Sequence, residues 1–575
     1  MIFAQPLEPL TRRQRNLVIA IAVVIALTRL LALSKTLWDW DEALFTLGVG
    51  DYDVPSHRPH PPGYPLFMLA AKLVHVAVRD DFRAVQSVVL LASLALFPAL
   101  FALARELRFP FAVAAGGAAL CAFFPNVWYY GGTALSDVPS LVLVCFAAAL
   151  LLRGCRERRA YVLGALLLGI AAGVRPQNLL IGLAPALAAT WCRRRAWRDV
   201  AAAVAIGAAV VAASYAGAAL ASSSWRDYLG ICAIQSRYIR EVDSYLNPGR
   251  PPLPSLASAI FVHPMHAGRF DRLLAALAAV GLLLGLRHAG ARLAVAMFVP
   301  IQIFTWLMLD MSNFPRYSVA FAPLYALLIA NAFVWMRGWS ALPVLALVAR
   351  LVWWTLPALD EVRRTESPSA AAMKSVRASK TIYAHGGMAA FANVFLADRN
   401  VTVVDKDAEL PISAAPYVRE GATIAPGARL FSRNRKGRLA TFVRQHYFEV
   451  TVMRAADAAV FHDGWYGEEN DGAVAWRWMS GRASMLLPPA GPRARLSMRF
   501  HIPEDAKPTL TLQLNGRVVD RFVCGPDEIE KSWDVDGRAD APNELVLSID
   551  HVVKPPGGDP RQLGLQLLGY SWGEQ

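Results

Sequence analysis

From Asn16 to Leu356 the chain is a succession of apolar runs separated by short breaks rich in arginine. A run of roughly 20 apolar residues matches the hydrocarbon thickness of a bilayer, and no soluble core needs so many of them in series. With 55% hydrophobic and only 18% charged residues in a chain of 575, an ordinary soluble protein is excluded. The net charge of +14 comes largely from arginines in the breaks between runs. That pattern orients membrane spans, so no nucleic-acid partner is expected.

The first run, Asn16–Leu33, follows Arg12, Arg13 and Arg15 and has no small-residue cleavage site behind it. It reads as a retained span with a cytoplasmic N-terminus. Counting arginines in successive breaks gives further spans over Val85–Ala104, Phe111–Tyr129, Val138–Leu152, Ala201–Leu220, Leu273–Leu286, Leu293–Leu309, Val319–Trp335 and Leu342–Leu356. Tyr161–Trp191, interrupted by Arg175-Pro176-Gln177 and flanked by arginines at both ends, reads as a hairpin of two spans. The expected total is eleven, which leaves the C-terminal region on the outer side of a cytoplasmic (inner) membrane. Leu66–Val78 is short for a span and is expected to lie along the interface. Ser222–Arg272 reads as a long, aromatic and proline-rich loop.

After Asp360 the pattern changes. Thr381–His385, Val401–Val404, Ala422–Ile424 and Tyr447–Met453 are strand-like, while Met388–Leu396 and Lys436–Arg444 have helical spacing. From about Phe461 onward, short alternating runs recur over Ser484–Leu487, Arg495–Phe500, Thr509–Leu514, Arg517–Phe522, Leu545–Ile549 and Leu563–Leu568. Asn515-Gly516 between two of them is a hairpin signal. The expected domains are therefore a transmembrane domain over 1–360, a small α/β domain over 361–458 and a β-sandwich over 459–575. Trp465, Trp476 and Trp478 are expected to pack in the sandwich core, with a carbohydrate-binding face as the alternative, and Asp559-Pro560-Arg561 to form a structural ion pair rather than a ligand site. The six cysteines have no metal-type spacing, and only Cys232 and Cys524 are placed for an oxidising compartment.

Chemistry concentrates between Trp38 and Pro65, where 28 residues hold five carboxylates, two histidines and five prolines. Acidic and imidazole groups held by prolines beside a bilayer suit proton and phosphate transfer. The topology brings this stretch to the same face as Asp137, Arg175 and Arg316 with Tyr317.

Trp40–Phe45 (W-D-E-A-L-F), His60–Leu66 (H-P-P-G-Y-P-L), Leu135–Leu141 (L-S-D-V-P-S-L), Gly173–Gln177 (G-V-R-P-Q) and Pro315–Leu324 (P-R-Y-S-V-A-F-A-P-L) occur in order along residues 1–357. Together they resemble the GT-C superfamily, within which the chain is similar to relatives of protein O-mannosyltransferases and of the lipid A aminoarabinose transferase. The resemblance implies a polytopic α-helical enzyme with a GT-C fold that takes a sugar from a polyprenyl-phosphate donor to a hydroxyl of a glycan, lipid or protein acceptor. It implies catalytic roles for Asp41, as the base, and for Glu42 and Asp137. His60, Arg316, Tyr317 and Arg175 are implied to bind the donor phosphate. No cofactor is obligatory on this reading and no metal site is expected, although Asp39, Asp41 and Glu42 offer ligands to a divalent cation. Two alternatives are a transporter or flippase of lipid-linked sugars, which predicts internal repeats and mid-bilayer charges, and a non-enzymatic membrane assembly subunit, which predicts that Asp41 and Arg316 are replaceable.

Overall fold

In the computed structural model, which describes residues 2–458, 460–470, 474–502, 507–555 and 561–574, the chain divides into two compact units. One comprises Met1–Thr365 together with Lys436–Arg444, the other Glu366–Arg435 with Gln445–Gln575. Among the described residues the first unit is helical and the second carries the strands. The expected class, a body of apolar helices followed by a β-rich C-terminal region, is what the chain adopts.

Among the described residues, five helices are long and apolar enough to cross a membrane: Arg12–Ala32, Asp81–Glu106, Trp197–Ala221, Ala289–Met308 and Ala341–Val376. The first starts at a reciprocal cap, in which Gln14 N donates to Thr11 Oγ1 at 3.2 Å and Thr11 N donates to Gln14 Oε1 at 3.0 Å. Apolar helices over Pro65–Val78, Phe111–Ala122, Asn178–Cys192 and Leu253–Val262 are shorter.

The structure departs from the run-by-run reading in several places: Val319–Trp335 is divided among a 3-10 turn, the helix Ala322–Asn331 and a second 3-10 turn, and three other departures have a plain local reason. Phe111–Tyr129 is two helices, Phe111–Ala122 and Pro125–Tyr130, because Pro125 has no N–H for the ladder and its ring excludes the carbonyl of Cys121 from an unbroken helix. Ser222–Arg272 is not a bare loop but holds helices Trp225–Tyr238 and Leu253–Val262. Ser224 caps the first of these, accepting from Asp227 N at 3.3 Å. Finally, Lys436–Arg444 makes only one 3-10 turn, Arg438–Thr441, and packs into the helical unit. There Arg438 lies 4.3 Å from the rings of both Trp353 and Trp354 and donates to the Trp354 carbonyl at 2.9 Å, while Phe442 stacks on Tyr129 at 4.8 Å. These side-chain anchors, with Tyr130 Oη donating to the Phe442 carbonyl at 2.7 Å, outweigh a weak helical tendency.

In the second unit, β1 (Thr381–His385), β2 (Asn400–Val404), β3 (Pro416–Glu420), β4 (Arg429–Ser432) and β5 (Glu449–Arg454) form a sheet ordered β2-β1-β3-β5-β4. β1 runs parallel to both its neighbours, with helix Ala389–Phe395 crossing to β2. The strand expected at Ala422–Ile424 lies earlier, at β3. Two further sheets hold β6 (Trp465–Asn470), β7 (Ala475–Met479), β8 (Arg482–Leu487), β9 (Ala494–His501), β10 (Thr509–Leu514), β11 (Arg517–Val523), β12 (Ile529–Val535), β13 (Asn543–Ile549) and β14 (Gln566–Glu574). Their orders are β11-β10-β13-β8 and β12-β9-β14-β7-β6, around a core that includes Leu496, Met498, Leu510, Leu512, Leu545 and Leu547. Asn515 and Gly516 both have positive φ, 51° and 79°, as a two-residue hairpin turn with the twist of its strands requires. Trp465 packs against this core, whereas Trp476 and Trp478 alternate with the inward-facing Ala475, Arg477 and Met479. Asp559 and Pro560 lie outside the described residues, and Arg561 pairs with Glu469. None of the six cysteines is in a disulfide.

Candidate active site

Asp39 begins the helix Trp40–Gly50, accepting from Asp41 N at 2.8 Å. Glu42, one turn in, closes the cap by accepting from Asp39 N at 3.1 Å. The same Glu42 oxygen accepts from Trp38 N at 2.6 Å, and the other accepts from Ala134 N at 2.8 Å. Both carboxyl oxygens are therefore engaged by backbone donors, and the residue is 1% exposed. Glu42 fastens the first acidic stretch to the loop before Asp137. Close approach completes the join, since a Cβ on Gly132 would stand 1.9 Å from the Ala32 carbonyl oxygen. Gly132→Ala is therefore expected to force this loop and the Ala32 backbone apart and to lower the thermal midpoint, read by unfolding in lipid nanodiscs.

Burial pushes the Glu42 carboxyl up to about 7, against the pull of its three backbone donors. Because this lies above the ordinary 4.5, the folded state holds more protons than the unfolded one between those values, and that part of the stability declines as pH rises through the window. Glu42→Gln keeps the shape but turns one acceptor into a donor facing a backbone N–H. It is expected to cost about 1–3 kcal/mol and to flatten the pH dependence of the unfolding midpoint between mildly acidic and neutral pH.

Asp41, next to Glu42 in the helix, faces a different set of groups. Arg316 Nη1 donates to its Oδ2, and His60 Nδ1 lies 3.6 Å from Oδ1. Arg316 Nε donates to Asp137 Oδ2 at 2.8 Å, and Arg175 Nη1 donates to Asp137 Oδ1. The result is a continuous alternation, Asp41–Arg316–Asp137–Arg175, drawn from four separate parts of the chain. Each position has a local reason. Asp137 opens the helix Asp137–Arg153, where the N-terminal dipole favours a carboxylate. Arg175 sits in the break between helices Arg158–Val174 and Asn178–Cys192, made by Pro176. Arg316 lies on the single turn Phe314–Tyr317, entered through Pro315.

The array is nearly dry at its centre. The Arg316 and Asp137 side chains are 2% and 5% exposed, while Asp41 is the most open member at 22%. Burial alone would raise the Asp41 carboxyl, but His60 and Arg316 hold it well below the usual carboxylate range. His60 is moved down to about 4, chiefly by burial and further by Arg316 and Arg175 against the opposing pull of Asp41. Its imidazole is thus neutral at pH 7, with Nε2 and Tyr64 Oη 2.9 Å apart. Arg175 also lies 5.8 Å from the Tyr64 ring. A small cleft of about 30 Å³ opens beside the array, lined in part by Asp137, Arg175, Asn178, Thr305 and Tyr317.

Of the residues singled out from the sequence, Asp41, His60, Asp137, Arg175 and Arg316 meet in one array, and Tyr317 joins Asp137 and Arg175 at the cleft. Glu42 is directed to backbone donors instead. Two contributors escaped the sequence reading. Tyr64 lay inside a quoted motif but carried no charge to mark it. Arg444 donates to Asn313 Oδ1 at 2.7 Å and to Asp310 Oδ2 at 3.4 Å, bracing the turn that leads into Arg316. It lies 128 positions beyond Arg316, in a stretch resembling the soluble tail, so no local pattern could have found it. Among the described residues, no group of three or more His, Cys, Asp or Glu is placed to hold a metal ion.

No family model matches the chain, and no curated protein does. Several solved structures are similar to it. ArnT from Cupriavidus metallidurans in the apo state has a TM-score of 0.47 and 14% identity over 77% of this chain and 98% of that one. The archaeal oligosaccharyltransferase AglB from Archaeoglobus fulgidus, solved with an inhibitory peptide and a dolichol-phosphate, has a TM-score of 0.44 and 10% identity over 82% of this chain and 75% of that one. The arabinosyltransferase EmbB from Mycobacterium smegmatis has a TM-score of 0.40 and 12% identity over 99% of this chain and 66% of that one.

Proposed function

We propose that this chain is an integral-membrane glycosyltransferase that moves a sugar from a polyprenyl-phosphate carrier to a hydroxyl acceptor at the outer face of the membrane. The observation that carries the reading is the alternating array of Asp41, Arg316, Asp137 and Arg175 beside a cleft, in a unit rich in apolar helices.

The chemistry asks for two things. As the bond from the anomeric carbon to the acceptor oxygen forms, the hydroxyl proton needs a base within hydrogen-bond reach, and Asp41 is the most accessible carboxylate of the array. As the bond to the carrier oxygen breaks, a phosphate diester with one charge becomes a monoester with two, so the leaving group needs cationic donors rather than a proton. Arg175, Arg316, Tyr317 and neutral His60 supply donors for it. Direct displacement of this kind inverts the anomeric centre, and Asp137 keeps both guanidiniums in place.

In the resting array Arg316 occupies Asp41 and suppresses its basicity. A donor phosphate competes for the same guanidinium, so donor binding loosens that pair and raises the proton affinity of Asp41. The base is thereby activated when the carrier phosphate is bound. Arg444→Ala, which unbraces the turn bearing Arg316, is expected to raise the KM for donor more than it lowers kcat.

The reading is tested by offering the protein in nanodiscs a panel of radiolabelled polyprenyl-phosphate sugars with membrane extract as acceptor. Label in a new product supports transfer and names the sugar. Donor translocated across the bilayer with no product overturns it.

A further inference from the structure

The second unit contains a cleft of about 310 Å³ that the transfer reaction does not use. It opens at the carboxyl ends of the parallel strands, at His385 of β1, Asp405 just after β2 and Arg419 of β3. β2 and β3 flank β1 on opposite sides, and the crevice outside such a reversal of strand order is where open α/β sheets take their ligands. The facing wall comes from the sandwich and includes Trp465, Tyr466 and His462.

The floor of this cleft is built of charge. Arg419 Nη1 lies 3.0 Å from Asp407 Oδ2, and Arg477 Nη2 lies 3.2 Å from the same oxygen and 3.4 Å from Glu468 Oε2. The Glu468 side chain is 2% exposed and that of Arg477 9%. Among the described residues, buried Glu468 Oε1 and Arg477 Nε have no hydrogen-bond partner. A buried two-by-two network is a poor way to stabilise a fold, since apolar side chains of equal volume do as well or better. Orphaned polar atoms add to the cost. The adjoining sandwich core is apolar and does not need the network.

The wall also limits what can bind. Lys406, Arg419 and Arg477 are balanced by Asp405, Asp407 and Glu468, so the cleft has no excess charge to select an anion or a cation. A hydroxyl both donates and accepts, which suits a wall offering carboxylates beside guanidiniums. The faces of Trp465 and Tyr466 suit an apolar ring face. We propose that this cleft binds a saccharide ring, as a site separate from the Asp41 array. The inference stands on the chemistry of the second unit and does not require that transfer occurs.

The test is saturation-transfer difference NMR on the full chain in nanodiscs, without glycosidic detergent. The probes are methyl α-mannopyranoside, methyl β-galactopyranoside and methyl α-arabinofuranoside, with inorganic phosphate as the anion control. Saturation transfer to at least one glycoside is expected, retained in Asp41→Asn and weakened about tenfold or more in the double variant Asp405→Asn/His462→Ala. Both substituted residues are exposed, so folding is not at stake, and an unchanged unfolding midpoint checks this. Trp465→Phe, which keeps a ring in place, is expected to weaken binding less than the double variant does. The proposal is overturned by no glycoside binding at tens of millimolar, by binding equal in the double variant, by loss of binding in Asp41→Asn, or by phosphate competing with the glycoside. A failure here leaves the transfer assay untouched, and a failure of transfer leaves this measurement untouched.

Discussion

Asp41→Asn is expected to abolish sugar transfer, by about 10²–10⁴-fold in kcat, while the protein still folds and still binds the carrier phosphate. Asparagine preserves the size of the side chain and one oxygen acceptor for Arg316, so the array keeps its shape. What it loses is the ability to take the acceptor proton at the moment of attack. The loss of rate should therefore appear in kcat with little change in the donor KM. Carrier binding, followed by quenching of tryptophan fluorescence with a polyprenyl phosphate that bears no sugar, is expected to be equal to wild type or tighter, because one negative charge leaves the neighbourhood of Arg316. Undiminished transfer by Asp41→Asn would remove Asp41 from the chemistry and leave its pairing with Arg316 as purely structural.

Asp137→Ala is expected to be the most destabilising single change in the helical unit, at about 3–5 kcal/mol. Among the described residues, Asp137 is the only carboxylate that joins Arg175 to Arg316, and its side chain is 5% exposed. Removing it leaves two guanidiniums close together with Asp41 as the remaining anion of the array. Asp41→Ala is expected to cost much less, because Asp41 is the more open residue and its removal leaves Arg316 paired to Asp137. A double-mutant cycle separates the effects: Arg175→Met in the Asp137→Ala background is expected to restore part of the lost stability, since it removes one of the stranded charges. Unfolding midpoints in nanodiscs would check this, and equal costs for Asp41→Ala and Asp137→Ala would contradict the pairing.

Together the two variants separate roles that adjacency in the array would otherwise blur. One carboxylate is expected to matter for rate and the other for architecture, and the difference follows from exposure. A group that must meet substrate has to be reachable, whereas a group that holds two buried cations is better kept dry.

The sequence by itself determined that the chain is built from apolar helices followed by a β-rich region, because hydrophobic periodicity and arginine placement are local properties. It also marked the charged members of the array, since Asp41, His60, Asp137, Arg175 and Arg316 stand in proline-rich or glycine-rich motifs at helix boundaries. Most strand positions in the sandwich were legible for the same reason, but β6, β7 and β12 were not. Their Trp, Glu, Arg and Lys residues break the apolar alternation, as on β12, where Trp533 alone is buried. Only the tertiary structure decided how the array is wired. Which of Asp41 and Glu42 meets arginine and which meets backbone N–H depends on the direction each leaves one helix turn and on what another part of the chain places there. The same holds for Arg444, brought to the Arg316 turn by anchors on Trp353, Trp354 and Tyr129 that are 90 to 315 positions away. A hydrogen bond or an ion pair acts over a few ångströms in space, and in a chain folded through this many helices distance along the sequence says little about distance in space.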